Sequence, residues 1–261
     1  MTPVVSKIFI YPIKSFDSLE LTEVKIGNSC LLHDREFALF NTEGKYVNGK
    51  RTPRINELRS EFDLSNYTVA FHSEENSETE KFSLLNDKIF IEKYLSDFFG
   101  YKVFLKRNEN GRFLDIPDDS GITVSSKASF EKLTDYFPDI SIMQMRSRFR
   151  ANIEISDTEP FWEDRLFSQP GSITSFRIND VNLIGISPRA RCIVPTRDTV
   201  SGVTYPRFTK IFTEARKETL PEWSELDKFD HYYYLNVDVS IPESEYGKEI
   251  KVGDKVIIDS K

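Results

Sequence analysis

Short runs rich in Val, Ile, Phe and Tyr recur along this chain, and most of them end at Gly, Asn, Asp or Ser. That spacing constrains the fold more than any other feature, because such runs are too short for amphipathic helices and carry turn residues at their ends. Strands are predicted over Val4–Ile13, Leu21–Ile26, Glu36–Phe40, Leu58–Leu64, Thr68–His72, Lys81–Leu85 and Tyr101–Leu105. "HSEENSETEK", residues 72–81, reads as an exposed acidic loop. Helical spacing appears in "NDKIFIEKYLSDFFG", where Ile91, Tyr94, Leu95 and Phe98 share a face, Asn86 or Asp87 caps the start and Gly100 marks the stop.

"FLDIPDDSG", residues 113–121, mixes Pro, Asp and Gly and divides the chain into 1–112 and 113–261. Beyond it, a strand running into Ser125 leads to a helix with Phe130, Leu133 and Phe137 inward, stopped by Pro138. "RFRANIEIS" reads as a strand, and "SITSFRINDVNLIGIS" as two strands around a turn near Asn179–Asp180. "FTKIFTEARKETL" is helical, and "YYYLNVDVSI" and "KEIKVGDKVIIDS" close the chain as strands. Many strands, two or three helices and no alternating βαβ units predict a mainly β chain with some α+β elements. The expected architecture is a β-barrel preceded by a smaller β-rich N-terminal domain.

Charge narrows the function. The 261 residues carry a formal net charge of −7, which argues against a general nucleic-acid or anionic-membrane binder. No stretch approaches the roughly 20 apolar residues of a membrane helix. The opening "MTPVVSKIFIYPIKS" lacks the apolar block of a secretory signal, so a cytoplasmic protein is expected. The two cysteines, Cys30 and Cys192, cannot build a disulfide framework, there is no CxxC, and His33, His72 and His231 lack metal-ligand spacing.

Against that acidic background, basic or hydroxyl residues gather in four clusters, the third of them made of three short stretches. "RARCIVPTRDTVSG" places Cys192 among Arg189, Arg191 and Arg197, with no acid over residues 186–197. Neighbouring cations favour a thiolate, whereas a buried structural cysteine is the plainer alternative. The following residues, with Thr196, Asp198 and Gly202, are loop formers. In "RSRFRAN", Arg146, Arg148 and Arg150 would share one strand face, either as an exposed strip or as a phosphate site. "YPIKS", "DRE" and "NGKRTPR" contribute Lys14, Arg35, Lys50, Arg51 and Arg54 at strand ends or turns. "TVSSK" puts Ser125 and Ser126 at a strand-to-helix junction, where serine either caps the helix or helps hold a phosphate. One bound anion beside a thiolate would account for all four.

These pieces carry a resemblance. "YPIKS", "DREF", "RFRANIEIS" followed by "FWEDRL", and "RCIVPTRDTVSG" occur in the order found in MOSC-domain proteins with an N-terminal β-barrel domain. That group includes the mitochondrial amidoxime-reducing component and bacterial proteins that detoxify N-hydroxylated bases. The resemblance implies a molybdenum cofactor (Mo-molybdopterin) between the two domains. Cys192 would be the protein thiolate on the metal, with Thr196 and Asp198 completing the catalytic set by shaping the loop around it. Lys14, Ser15, Arg35 and Arg51 would hold the pterin and its phosphate from the first domain. Ser125, Ser126, Arg148, Arg150, Asn152 and Arg191 would do so from the second. Where family members often continue Asp-Pro-x-Thr-Gly, this chain has Asp198-Thr199-Val200-Ser201-Gly202, losing a proline and keeping the glycine.

The activity so implied is reduction of a small N-hydroxylated compound. Electrons would come from a separate ferredoxin or flavoprotein reductase, since no iron–sulfur cysteines follow the MOSC part. A start directly at the first strand matches the soluble bacterial type. Two other readings use the same residues: a sulfur carrier or transferase bearing a Cys192 persulfide, and a non-catalytic carrier of the cofactor.

Overall fold

The first strand, β1 (Val4–Ile10), pairs far along the chain, antiparallel to β10 (Ile153–Ser156) with Val4 opposite Ser156. The computed structural model describes residues 2–73, 79–109, 112–113, 121–167, 174–222, 224 and 230–258. Within them, β2 (Leu19–Leu21), β3 (Glu23–Lys25) and β4 (Phe37–Asn41) follow β1. Next come β5 (Leu58–Asp63), β6 (Thr68–Ser73), β7 (Glu80–Ser83), α1 (Lys88–Phe99) and β8 (Val103–Arg107). The second half holds β9 (Ile122–Ser126), α2 (Lys127–Thr134), α3 (Ile142–Phe149), β10, β11 (Thr174–Ile178) and β12 (Val181–Ala190). It ends with α4 (Phe208–Glu218), β13 (Tyr234–Ser240), β14 (Glu249–Lys251) and β15 (Val256–Ile258).

The chain is mainly β, as the strand spacing predicts. An eight-stranded sheet runs β15-β11-β12-β13-β9-β10-β1-β2, while β4–β8 and β5–β6–β7 form small sheets in the N-terminal half. The expected closed barrel is not found among the described residues. β15 is three residues long, and among those residues its end of the sheet meets β1 only through the bridge pair Val4 with Lys255 and the backbone bonds Val5 N to Asp254 O, Gly253 N to Val5 O and Val256 N to Pro3 O. A boundary at 112/113 does not separate two sheets either, because β1 and β2 lie in the large one and β3 pairs with β14. Val5, Ile8 and Ile10 are buried in the large sheet's core, whereas Ile13 and Phe16 enter a second core with Phe37, Phe71 and Ile91.

Two expectations are corrected. "RFRANIEIS" is not one strand: its arginines belong to the end of α3 and the strand begins at Ile153. Ser141 and Gln144 form a reciprocal capping box that starts α3, and Met145 and Phe149 fall on its buried side four residues apart. One βαβ-like crossover also exists, since β9 and β10, linked through α2 and α3, pair in parallel. The boundary segment 113–121 and the acidic loop 72–81 lie largely outside the described residues.

Gly185 in β12 shows how tightly the large sheet packs. A Cβ there would sit 1.2 Å from the Leu166 carbonyl oxygen. Gly185→Ala must therefore move backbone, at a cost of about 3 kcal/mol or more. The melting temperature should drop on the order of 10 °C, and an unchanged melt would show that this approach is absent in solution.

Candidate cofactor cleft

Three residues other than glycine bend the chain into the left-handed region around one cavity: Ser15 (φ +73°), Arg35 (φ +54°) and Arg150 (φ +54°). Such backbones cost on the order of 1–3 kcal/mol each and concentrate at functional sites. All three line a cleft of ≈ 610 Å³ between the two halves of the chain. Its cations are Lys14, Arg35, Lys50, Arg51, Arg150, Arg189 and Arg191, and none of its described lining residues is Asp or Glu. Asn152 and Cys192 line the same space.

Each wall has a local cause. The turn after β1 is stitched to the next segment by Tyr11 N donating to Asp34 Oδ1 (2.9 Å), Arg35 N to the Tyr11 carbonyl (2.8 Å) and Lys14 N to the Phe37 carbonyl (2.8 Å). Lys14 is buried, donates from Nζ to the Phe113 carbonyl at 3.1 Å and lies over the Tyr46 ring. Arg150 terminates α3, where its left-handed backbone turns the side chain toward the Phe16 carbonyl (2.7 Å). Asn152 accepts from Thr123 N (3.2 Å) and donates to the Phe9 carbonyl (3.1 Å).

Cys192 lies two residues past the end of β12, is exposed, and contrasts with Cys30. Burial pushes the Cys30 thiol up to about 12, with Asp34 adding to the rise, so that thiol stays protonated. Arg191, beside Cys192, donates to the Phe149 carbonyl (2.9 Å) and leaves its buried Nε without a partner among the described residues. Burial, with Arg189 adjacent, pulls Arg191 down to about 10, still well above neutrality.

The remaining sequence candidates lie outside the cleft lining. Arg148 is 3% exposed and grips the loop after Cys192 from beneath. Its Nη1 donates to the carbonyls of Pro195 (3.0 Å) and Arg197, and its Nη2 faces Asp198 at 3.4 Å. Thr196 donates its hydroxyl to the Ile193 carbonyl (2.7 Å). Asp198 accepts from Val200 N and Ser201 N; burial works against its carboxylate, but these bonds hold it below the usual range. Thr196, Asp198 and Arg148 thus shape the loop, and Arg146 pairs with Glu154 instead. Ser126 caps α2 through Ala128 N (3.1 Å), and Ser125 donates to Glu163 at 3.4 Å.

Glu163 itself is buried, accepts from Ser129 at 2.6 Å and is pushed up to about 7 by burial and by neighbouring Asp164. Between its unfolded value, near 4.3, and about 7, the folded chain keeps a proton that the unfolded chain has released. Stability from this group is complete below that window and declines as pH rises through it. Urea unfolding from pH 5 to 8 should show a smaller decline in Glu163→Gln than in the parent chain; equal slopes would remove Glu163 as the cause.

Comparison with known families decides the relationship. A family model of the MOSC N-terminal beta barrel domain matches residues 2–95, and one of the MOSC domain matches residues 114–257. The chain belongs to the MOSC-domain family. Human (Homo sapiens) molybdenum cofactor sulfurase is 36% identical over 61 residues, 23% of this chain and 7% of that protein, so the chain matches a small part of its length. The YUAD protein of Bacillus subtilis aligns over 100% of this chain and 97% of its own at 12% identity, with a TM-score of 0.42, which carries no argument.

MOSC domains are associated with the molybdenum cofactor, and this cleft fits such a group. An exposed thiol offers the soft donor that molybdenum takes. Seven lining cations, of which Arg35 and Arg189 are paired from behind with Asp34 and Asp238, and an unpartnered Nε on Arg191 suit a phosphate-bearing pterin. Among the described residues no cluster of three or more His, Cys, Asp or Glu forms a separate metal site. No helix among them is long and apolar enough to cross a membrane. Sequence reasoning missed Tyr11, Tyr46 and Asn48. Tyr46 and Asn48 line the cleft, and Tyr11 packs against Arg35 and Arg150. Tyr11 and Asn48 carried a signal, being the first residues of "YPIKS" and "NGKRTPR".

Proposed function

We propose that the cleft binds Mo-molybdopterin through Cys192 and that the chain is a molybdenum-dependent oxidoreductase reducing small N-hydroxylated compounds. The observation that carries this reading is the exposed thiol sharing one cleft with seven basic side chains and no described acid. When bound, the cofactor supplies two-electron, oxygen-atom chemistry. The chain's own residues do the rest. Cys192 offers the thiolate, Lys14, Arg35, Arg150 and Arg191 oppose the cofactor's negative charge, and Asn152 fixes the floor through Thr123. Arg148 and Asp198 hold the loop that presents Cys192. A separate ferredoxin or flavoprotein reductase delivers electrons, and the protein works in the cytoplasm.

A second reading is sulfur transfer through a Cys192 persulfide, favoured by the sulfurase relative and by the accessibility of the same thiol. Metal and pterin analysis of the chain made in a cofactor-competent host separates the two. About one molybdenum per chain, with N-hydroxylated substrate turnover in the presence of a reductase, is the expected result. A persulfide mass shift on Cys192 with no bound metal would replace it with sulfur transfer, and bound cofactor without turnover would indicate a carrier.

A further inference from the structure

Three of the basic stretches meet at one aromatic ring. Tyr11 is 3% exposed, and the guanidiniums of Arg35 and Arg150 stand 4.8 and 4.0 Å from its ring centroid. Its hydroxyl donates to the Ala151 carbonyl at 3.2 Å, and its amide to Asp34, whose other carboxylate oxygen pairs with Arg35. The ring is thereby tied to "YPIKS", to "DRE" and to "RAN" at once. Both arginines line the cleft, and both hold left-handed backbones that aim them there.

Two like charges side by side repel unless something offsets them. Asp34 takes one donor of Arg35 and the Phe16 carbonyl one donor of Arg150. The aromatic face lies against both guanidiniums without carrying a charge or taking a donor, so it leaves their remaining N–H groups for a ligand. Burial raises the Tyr11 phenol while Arg150 and Arg35 pull against it, and the group stays neutral, keeping its hydrogen to give to Ala151. Asp34 already offsets part of the Arg35 charge; a second carboxylate in place of the ring would neutralise the pair and remove the attraction for an anion.

We propose that Tyr11 is the positioning residue of the cleft: its ring sets the spacing of Arg35 and Arg150 so that both act on a single phosphate-type oxyanion. In the cofactor reading, on which this rests, that oxyanion is the phosphate of the pterin. The role is distinct from filling space, because it depends on the electron-rich face of the ring rather than on its volume.

The test uses the full chain with inorganic pyrophosphate as probe, in titration calorimetry. Position 11 carries Tyr, then Phe, then mono-, di- and trifluorinated phenylalanine, which keep the ring's shape while draining its face. Tyr11→Phe should bind within about twofold of the parent, and affinity should then fall stepwise by about tenfold over the fluorinated series. The melting temperature should drop by a few degrees at the Tyr11→Phe step, where the bond to Ala151 is lost. A purely structural role would move the melt alone, and only the positioning role grades the affinity along the fluorinated steps. A flat series overturns the proposal, as does a loss confined to the Tyr11→Phe step or a parent chain that does not bind pyrophosphate. Molybdenum and pterin content measured alongside keeps the two readings apart. A graded series in a chain that loads no cofactor supports the Tyr11 role and removes the cofactor assignment.

Discussion

Cys192→Ser should come out of a cofactor-competent host without molybdenum. Losing an outer partner of a metal site costs 10–100-fold in affinity or activity as an order of magnitude, and removing the protein's own sulfur ligand should exceed that. Stoichiometric metal should fall to background and turnover with it. The fold should be untouched, because Cys192 is exposed and stands at the start of a loop. An exposed substitution changes stability by within about 0.5 kcal/mol, or about 2 °C in melting temperature for a chain of this size. Metal analysis, a melt and a reductase assay on the same sample read all three. Full turnover with molybdenum still bound would end the ligand assignment. A parent protein carrying a persulfide and no metal would move the chemistry to sulfur transfer.

Arg148→Met is the second large effect, and it reaches the cleft from behind. The guanidinium is buried, and three acceptors depend on it: the carbonyls of Pro195 and Arg197 and the Asp198 carboxylate. Methionine fills much of the volume but donates nothing. Breaking a buried charged cluster of this kind costs about 3–5 kcal/mol, which lowers the melting temperature on the order of 10 °C. Cofactor retention should fall as well, since the loop after Cys192 loses its brace. Arg148→Lys should rescue little, because one ammonium cannot fork across two carbonyls and a carboxylate. If lysine restored both stability and cofactor content, charge alone would explain Arg148 and the clamp would be wrong.

What could be read from the sequence depended on how local each signal was. The hairpin of β11 and β12 was legible because Asn179 and Asp180 sit between two alternating runs, and Asn179 does take a left-handed backbone. Helix α1 was legible because Ile91, Tyr94, Leu95 and Phe98 recur at helical spacing and Gly100 stops it in the left-handed region, although Phe99 is buried while Tyr94 and Phe98 are only partly so. Helix α3 was not. Arg146, Arg148 and Arg150 alternate as a strand would, although the capping pair that starts the helix, Ser141 and Gln144, lies just upstream. The parallel pairing of β9 with β10 leaves no local trace at all.

The cleft divides in the same way. Lys14, Ser15, Arg35, Arg51, Arg150, Asn152, Arg191 and Cys192 could be nominated from motifs, and all line it. Ser125 and Ser126 carried the same sequence signal, yet their hydroxyls are engaged with Glu163, Thr158 and the α2 cap. Serine at a strand-to-helix junction has two uses, and only the packing around it shows which one is taken. Tyr11 stood inside a recognisable motif, yet its role was not legible because it depends on two arginines more than twenty and more than a hundred residues away.

The reach of β1 also imposes a timetable on synthesis. The core holding Ile13, Phe16, Phe37 and Ile91 draws only on residues 13–105 and can condense early. The strand just before it can pair at once with β2 along one edge, but its other edge must wait until Ile153–Ser156 emerges from the ribosome. Pairings this distant in the chain are slow to form, so the newborn protein passes through a stage with one sticky apolar edge and an unfinished cleft. Chaperone demand and cofactor loading both belong to the moments after that edge is covered.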